Sequence, residues 1–426
     1  MSTVRYPEYR SYDQPTFNEL PAHWRAVRGR HLVTIQTGSG DTVDAEDDGE
    51  YPFYVRSDTP LRSSGWEFNA PAVLTAGDGA GVGKVFHLVS GRFMAHQRVY
   101  VLHDFHGVTP EFFFYAFSSM FHLMALDGSA KSTVDSVRRH MIADMPFGVP
   151  PLDEQRAIAD YLDRETAQID ALVAKQEEFI GLLRKRRSGV VDAAVLGQQC
   201  RGIRADSRGG AMPGAVRRLE SLPAGWKTIP AKGAFVERRQ KSLPTDVHLT
   251  PSQKFGVLPQ ADYMRITGSK VVLNLEGQDN MKHVGVNDFI IHLRSFQGGL
   301  EWSGLVGKVS MAYTVLTPRT NEICPRYFRW QLKSDAYIRE LRSTTDQLRD
   351  GQSIKYSTFA KIPLALPPLD EQHAIADYLD QESSRIDALI AKAEEHIALA
   401  KERRSALITA AVTGQIDARA EAQRAG

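Results

Sequence analysis

Two stretches of the chain share one rhythm of apolar and polar positions. In residues 150–198, Ile158, Leu162, Ile169, Leu172, Phe179, Leu183 and Val190 fall along one line close to a seven-residue period. In residues 367–415, Ile375, Leu379, Ile386, Leu389 and Leu407 do the same, with Ala393 and Ala400 narrowing the line. Val173 with Ile180, and Ile390 with Ile397, widen the stripe. Such a period predicts long helices that pack on each other along a seam. Asp153 and Asp370 follow a Pro–Pro pair, where carboxylates favour a helix N-terminus. Gly197 and Gly414 supply the usual C-terminal signal, and Gly181 is a weak point inside the first helix.

The two stretches are copies. Residues 150–198 and 367–415 align at an offset of 217 without gaps, with 32 of 49 positions identical. A weaker repeat precedes them: "LPAHW" at Leu20–Trp24 returns as "LPAGW" at Leu222–Trp226, at an offset of 202. "IADMPFGVPP" and "FAKIPLALPP" read as a last strand feeding each helix. The fold class expected is therefore α+β: two globules of mixed α/β content, separated by two long helices that pair as an antiparallel coiled coil, with a pseudo-two-fold internal repeat. The boundaries are 1–149 for the first globule, 150–198 for its helix and 199–221 for a Gly/Arg-rich linker. The second globule is 222–366, its helix 367–416 and a tail 417–426.

Inside the globules, short strand-like runs occur at Val99–Leu102, Val271–Leu275, Phe289–Leu293 and Val309–Val315. Aromatic segments at Pro110–Leu126 and Pro325–Leu341 read as helices.

Charge is informative only by segment. Residues 199–366 carry 25 Lys/Arg against 14 Asp/Glu, while residues 1–150 carry 13 against 17, although the whole chain is only +1. The basic second globule suits a polyanion and the acidic first one does not. The two cysteines, Cys200 and Cys324, lie in no metal-type spacing, so a reducing cytoplasmic location is expected. No run is long and apolar enough to cross a bilayer.

Two unlike globules, each followed by a helix opening "PPLDEQ.AIADYLD" and closing "A.V.GQ", resemble the specificity subunits of type I restriction–modification systems. The "LP..W" starts and the segments "GSAKSTV" and "GQSIKYS" occur in the family's order, and the likeness spans essentially the whole chain. The resemblance implies two target recognition domains reading the halves of a two-part DNA site. It implies helices that set the half-site spacing and hold two methyltransferase subunits, with restriction/translocation subunits joining the complex. It further implies no cofactor on this chain, S-adenosylmethionine on the methyltransferase, and ATP and magnesium on the restriction subunit.

Reading base edges requires forked or amide donors and acceptors, with Lys/Arg on phosphates. The candidates are Lys84, Arg92, Gln97, Arg98, Lys131 and Ser132 in the first globule. In the second they are Arg238, Arg239, Lys241, Arg294, Gln297, Arg349, Gln352 and Lys355. Most lie in Gly-containing loops, where binding residues concentrate.

Catalytic patterns fail on inspection. "GDGAGVGKV" at Gly77–Val85 departs from a phosphate loop, since Val85 stands where Ser or Thr should bind magnesium. "DTVDAEDDGE" lacks the closing glutamate of a calcium loop, Val55 standing in its place. No His/Cys cluster, "GxSxG" or "NPP(Y/F)" occurs. A non-catalytic DNA-specificity subunit is therefore the expectation. A coiled-coil adaptor without DNA specificity is the alternative from another class, and a hydrolase hidden in one globule is the third.

Overall fold

The computed structural model describes residues 4–125, 136–198, 222–269, 281–292, 295–343 and 354–424. Lys131, Ser132, Arg294, Arg349, Gln352, the run Val271–Leu275 and the linker 199–221 lie outside them. The chain divides into two compact units: residues 1–177 with 394–426, and residues 178–393.

In the first unit the central sheet is antiparallel. Val99–His103 lies between Thr34–Thr37 and Ala72–Ala76, and Phe86–Val89 forms one edge. Ala72–Ala76 is buried throughout, which is why it reads as a nearly continuous apolar run. In the second unit Thr314–Pro318 lies between Phe235–Glu237 and Phe289–Ile291, with Glu301–Trp302 at the edge. The order and directions are the same. Each globule also pairs the strand after its "LPA.W" with the strand that feeds its helix: Arg25–Arg28 with Pro146–Val149, and Lys227–Pro230 with Pro363–Leu366. One fold is built twice.

The expected aromatic helix of the first globule is present as Pro110–Ala125. Its counterpart is broken into Pro325–Gln331 and Asp335–Ser343, because the Ser334 Oγ accepts from the Tyr337 N–H at 3.2 Å and caps a new helix. The run Val309–Val315 likewise divides into strands Gly307–Val309 and Thr314–Pro318 around a turn closed by Tyr313 N–H to Ser310 O at 3.0 Å.

The two long helices are Leu152–Val195 and Leu369–Val412, 44 residues each. They pair antiparallel. In the first unit Asp170 meets Arg404 at 3.0 Å and Glu177 meets Lys401 at 3.8 Å, so one helix descends as the other rises. In the second unit Arg187 donates to Asp387 at 2.6 Å. Buried along the helices are Ile158, Leu162, Ile169, Val173, Ile180 and Leu183 on the first, and Ile375, Leu379, Ile386, Ile390 and Ala393 on the second. Leu407 is partly buried beside Ile408.

Three seam assignments need correction. Leu172 and Leu389 are 49% and 41% exposed, and Val173 and Ile390 hold the inner positions instead. A straight helix of 3.6 residues per turn drifts from a strict heptad, so the inner stripe steps from Ile169 to Val173 to Ile180. Phe179 is outside the stripe for the same reason, at 42% exposed. The stretch read as a tail is also structured: helix Ala418–Arg424 packs on the first globule with Ala418 fully buried. Its anchor is the pair Asp417 N–H to Val4 O at 2.8 Å and Val4 N–H to Glu421 Oε1 at 2.6 Å. Among the described residues no helix is long and apolar enough to cross a membrane.

The duplicated motif has a direct structural meaning. In "DEQ", Asp153 and Asp370 face solvent, whereas Glu154 accepts from Trp24 Nε1 at 3.1 Å and Glu371 from Trp226 Nε1 at 2.8 Å. Gln155 accepts from the Thr109 N–H and donates to Gly107 O and Pro150 O. Gln372 repeats this with the Cys324 N–H, Glu322 O and Pro367 O. The last aspartate of "ADYLD" fastens the aromatic helix: Tyr115 Oη donates to Asp163 at 2.5 Å, and Trp330 Nε1 to Asp380 at 2.8 Å. These polar groups, with Glu154, Gln155 and Gln372 buried, are satisfied in the same way twice, which is what fixes each globule on its helix.

Candidate nucleic-acid interface

The sheet topology gathers the candidate residues. In the first globule the end of Thr34–Thr37, the start of Val99–His103, the end of Ala72–Ala76 and the start of Phe86–Val89 share one end of the sheet. The Gly77–Val85 hairpin loop, with Lys84, and the turn holding Gln97 and Arg98 therefore lie together. Gly77 N–H to Arg98 O at 2.8 Å ties them. Loop Gly77–Val85 joins two strands and opens no α-helix, as its spacing implied.

The corresponding end of the second sheet carries Arg238, Arg239 and Lys241 after strand Phe235–Glu237. It also carries Gln297 in the hairpin between Phe289–Ile291 and Glu301–Trp302. The sequence therefore picked out the same hairpin loop in both globules. Arg92 stands apart on strand Arg92–Ala95 of a second sheet, with its guanidinium over the Trp66 ring at 5.0 Å.

At the first sheet end, Asp78 binds Arg56 Nη1 at 2.6 Å and Arg98 Nη1 at 2.9 Å. Partial burial disfavours the Asp78 charge, but the two guanidiniums prevail and hold its carboxyl below the usual range. Gln97 Nε2 donates to Asp41 at 2.9 Å. Burial, opposed by Asp41, pushes the His96 imidazole down, favouring its neutral form. A cleft of about 400 Å³ opens between Arg56, Asp78, Gly81 and His96.

At the second sheet end the basic residues differ in what they are doing. Arg238 gives a two-pronged pair to fully buried Asp288, at 2.7 and 3.0 Å, and Asp288 also accepts from the Gly285 N–H. Its fork holds the turn before strand Phe289–Ile291. Arg239 is 87% exposed. Lys241 is exposed and its backbone bridges to Lys282. Exposed Lys355 lines a cleft of about 710 Å³ with Glu237, Lys282, Thr314 and Tyr356. Gln297 is exposed, and its carbonyl accepts from Arg342. At the foot of the same hairpin, buried Glu301 meets Lys333 Nζ at 2.6 Å.

Several basic residues escaped sequence reasoning. Arg56 and Lys282 reach these clefts only through tertiary pairing, and no local pattern marks them. Arg138 did have a signal: at the offset of 217 it matches Lys355, and each precedes a short helix, Arg139–Ala143 or Tyr356–Phe359. The buried residues before them, Val137 and Ile354, match as well.

Comparison with known proteins agrees with the doubled plan. The type I restriction modification DNA specificity domain matches residues 21–179 and 264–398. The chain is 24% identical over 421 residues to the type I restriction enzyme EcoDI specificity subunit of Escherichia coli, covering 95% of this chain and 91% of that one. It is 21% identical over 338 residues to the StySPI specificity subunit of Salmonella potsdam, covering 74% and 67%. A solved structure concerning complex assembly and conformational transition of the type I R-M system shares the fold, with TM-score 0.59 at 17% identity over 93% of this chain and 99% of that one. The chain, with that domain present twice, belongs to the type I restriction–modification DNA specificity family.

Proposed function

We propose that this chain is the non-catalytic DNA-reading subunit of a type I restriction–modification complex, with each globule reading one half of a two-part asymmetric site. The observation that carries this is the repetition of one sheet order in two sequence-divergent globules, with polar loop residues at the same sheet end of each. A site in two parts needs two readers at a fixed separation, because half-site spacing is a geometric quantity. The paired helices serve as that spacer.

The same helices offer docking positions in duplicate. Leu172 matches Leu389, and Leu182 matches Leu399, at the offset of 217, and all four are exposed. Each compact unit thus carries one such leucine from each helix. Exposed leucines at paired positions suit two copies of one partner, and two methyltransferase subunits are the partners we assign. Restriction/translocation subunits join that complex. S-adenosylmethionine then belongs to the methyltransferase, and ATP with magnesium to the restriction subunit.

The test is to titrate the chain alone, and the chain with its methyltransferase, against a genomic double-stranded DNA library. Recovery of a two-part motif by the complex, with salt-dependent affinity, supports the reading. Absent or salt-insensitive DNA binding by the full complex would favour the adaptor alternative.

A further inference from the structure

The first globule is acidic, which is awkward for a DNA reader. Its sheet end resolves the difficulty. Asp78 lies between Arg56 and Arg98, which come from segments 42 positions apart in sequence. The backbone around Asp78 is pressed against both segments: a Cβ on Gly77 would stand 2.8 Å from Arg98 O, and one on Gly81 2.6 Å from Arg56 O. The Arg56 and Arg98 side chains are 43% and 56% exposed against 23% for Asp78, so the carboxylate that holds both is the more buried partner and both arginines remain accessible.

An exposed ion pair contributes little to stability, about 0–1 kcal/mol, so stability is a weak reason for this arrangement. Orientation is a better one. A guanidinium has five donors in a fixed fork, and Asp78 occupies one on each arginine. A restrained fork forfeits less rotamer freedom when it meets a ligand than a solvated one does. The carboxylates of Asp78 and Asp41 disfavour a phosphate at this spot. Base edges are compatible with them, because the fork matches guanine O6 and N7 and a carboxylate accepts from cytosine N4.

We propose that Arg56 and Arg98 are base-reading residues of the first globule, directed at guanine, and that Asp78 is the positioning residue that orients both. This rests on the reading of the first globule as a DNA reader. It lets the acidic globule discriminate bases through two restrained forks without a net positive charge, while the second globule reads its own half-site and adds most of the attraction to phosphate. With its carboxyl held below the usual range, Asp78 stays ionised at physiological pH and keeps both forks in place.

The test uses the complete complex of this chain with its methyltransferase, selected against randomised double-stranded DNA. R56K and R98K keep the charge and lose the fork, whereas D78N keeps both arginines and loses the clamp. Each arginine variant is expected to reduce discrimination roughly tenfold to hundredfold at a guanine of the first globule's half-site. D78N should relax the same positions, with the second half-site unchanged in every variant. If D78N fails to assemble, the two arginine variants decide. An unaltered first half-site in R56K and R98K would overturn the proposal. So would a uniform loss of affinity for all sequences with the base preferences retained, which marks phosphate contacts. If the unmodified complex selects no two-part motif, the underlying DNA reading falls first, and this assignment with it.

Discussion

Gly414 closes against Trp24: a Cβ on Gly414 would stand 3.5 Å from the Trp24 ring and 2.4 Å from Pro21. Gly197 repeats the relationship with Trp226 and Pro223, at 3.3 and 2.4 Å. Each "LPA.W" is thus seated between the first turn of its own helix, through Glu154 or Glu371, and the C-terminal glycine of the other long helix. Both glycines are left-handed, with φ of 69° and 70°.

Replacing either glycine by alanine therefore meets two obstacles, a strained φ and an overpacked contact. G197A and G414A should each lose about 2 kcal/mol or more of stability. Gly181, mid-helix with nothing near its absent Cβ, gives the opposite sign: G181A should gain ~0.5–1 kcal/mol. Denaturant unfolding of the three variants checks the contrast.

Adjacent acids of one motif should behave differently. Glu154 is buried and binds Trp24, His23 and Arg419, so E154A should cost about 1–3 kcal/mol, chiefly by leaving the buried Trp24 Nε1 donor unpaired. Asp153 is 99% exposed, and D153A should change stability by less than about 0.5 kcal/mol. Equal effects on chemical unfolding would mean that the motif acts elsewhere.

The seam and the outer face separate helix pairing from partner recruitment. Val173→Asp with Ile390→Asp buries a charge on the inner stripe and should abolish helix pairing, seen as loss of helical circular dichroism. Leu172→Asp with Leu389→Asp should leave the helical signal intact while weakening methyltransferase capture at least tenfold, measured by pull-down.

Acid should loosen the second globule from its helix. Burial raises the Asp380 carboxyl, but Arg326, Trp330 and Arg329 outweigh it and leave the group below its ordinary value. A depressed carboxyl contributes stability that is present above its unfolded value of 3.8 and lost as pH falls through the folded value. At neutral pH, D380N should melt earlier than the unmodified chain by the equivalent of about 1–3 kcal/mol. The gap should begin to narrow near the unfolded value of 3.8 and close only once pH has fallen through the depressed folded value, as thermal melts across pH will show.

The doubled helices were readable because repetition and periodicity are properties of the sequence itself. The exposure of Leu172 and Leu389 was not, since helical drift over several turns decides which of two adjacent apolar residues turns inward. The hairpin loops of both globules were visible through their glycines. Which arginine was committed to the fold was not: Arg238 is held by Asp288, 50 residues further along the chain, and only the folded chain brings the two together. Helix Ala418–Arg424 lacked a sequence signal because it is short and finds its apolar partner in the opposite end of the chain.

Methylome sequencing of a host whose chain has residues 1–149 exchanged for the first globule of another family member tests the central claim most directly. Independent readers predict that one half-site changes while the other half-site and the gap are retained. Simultaneous change of both half-sites would contradict it.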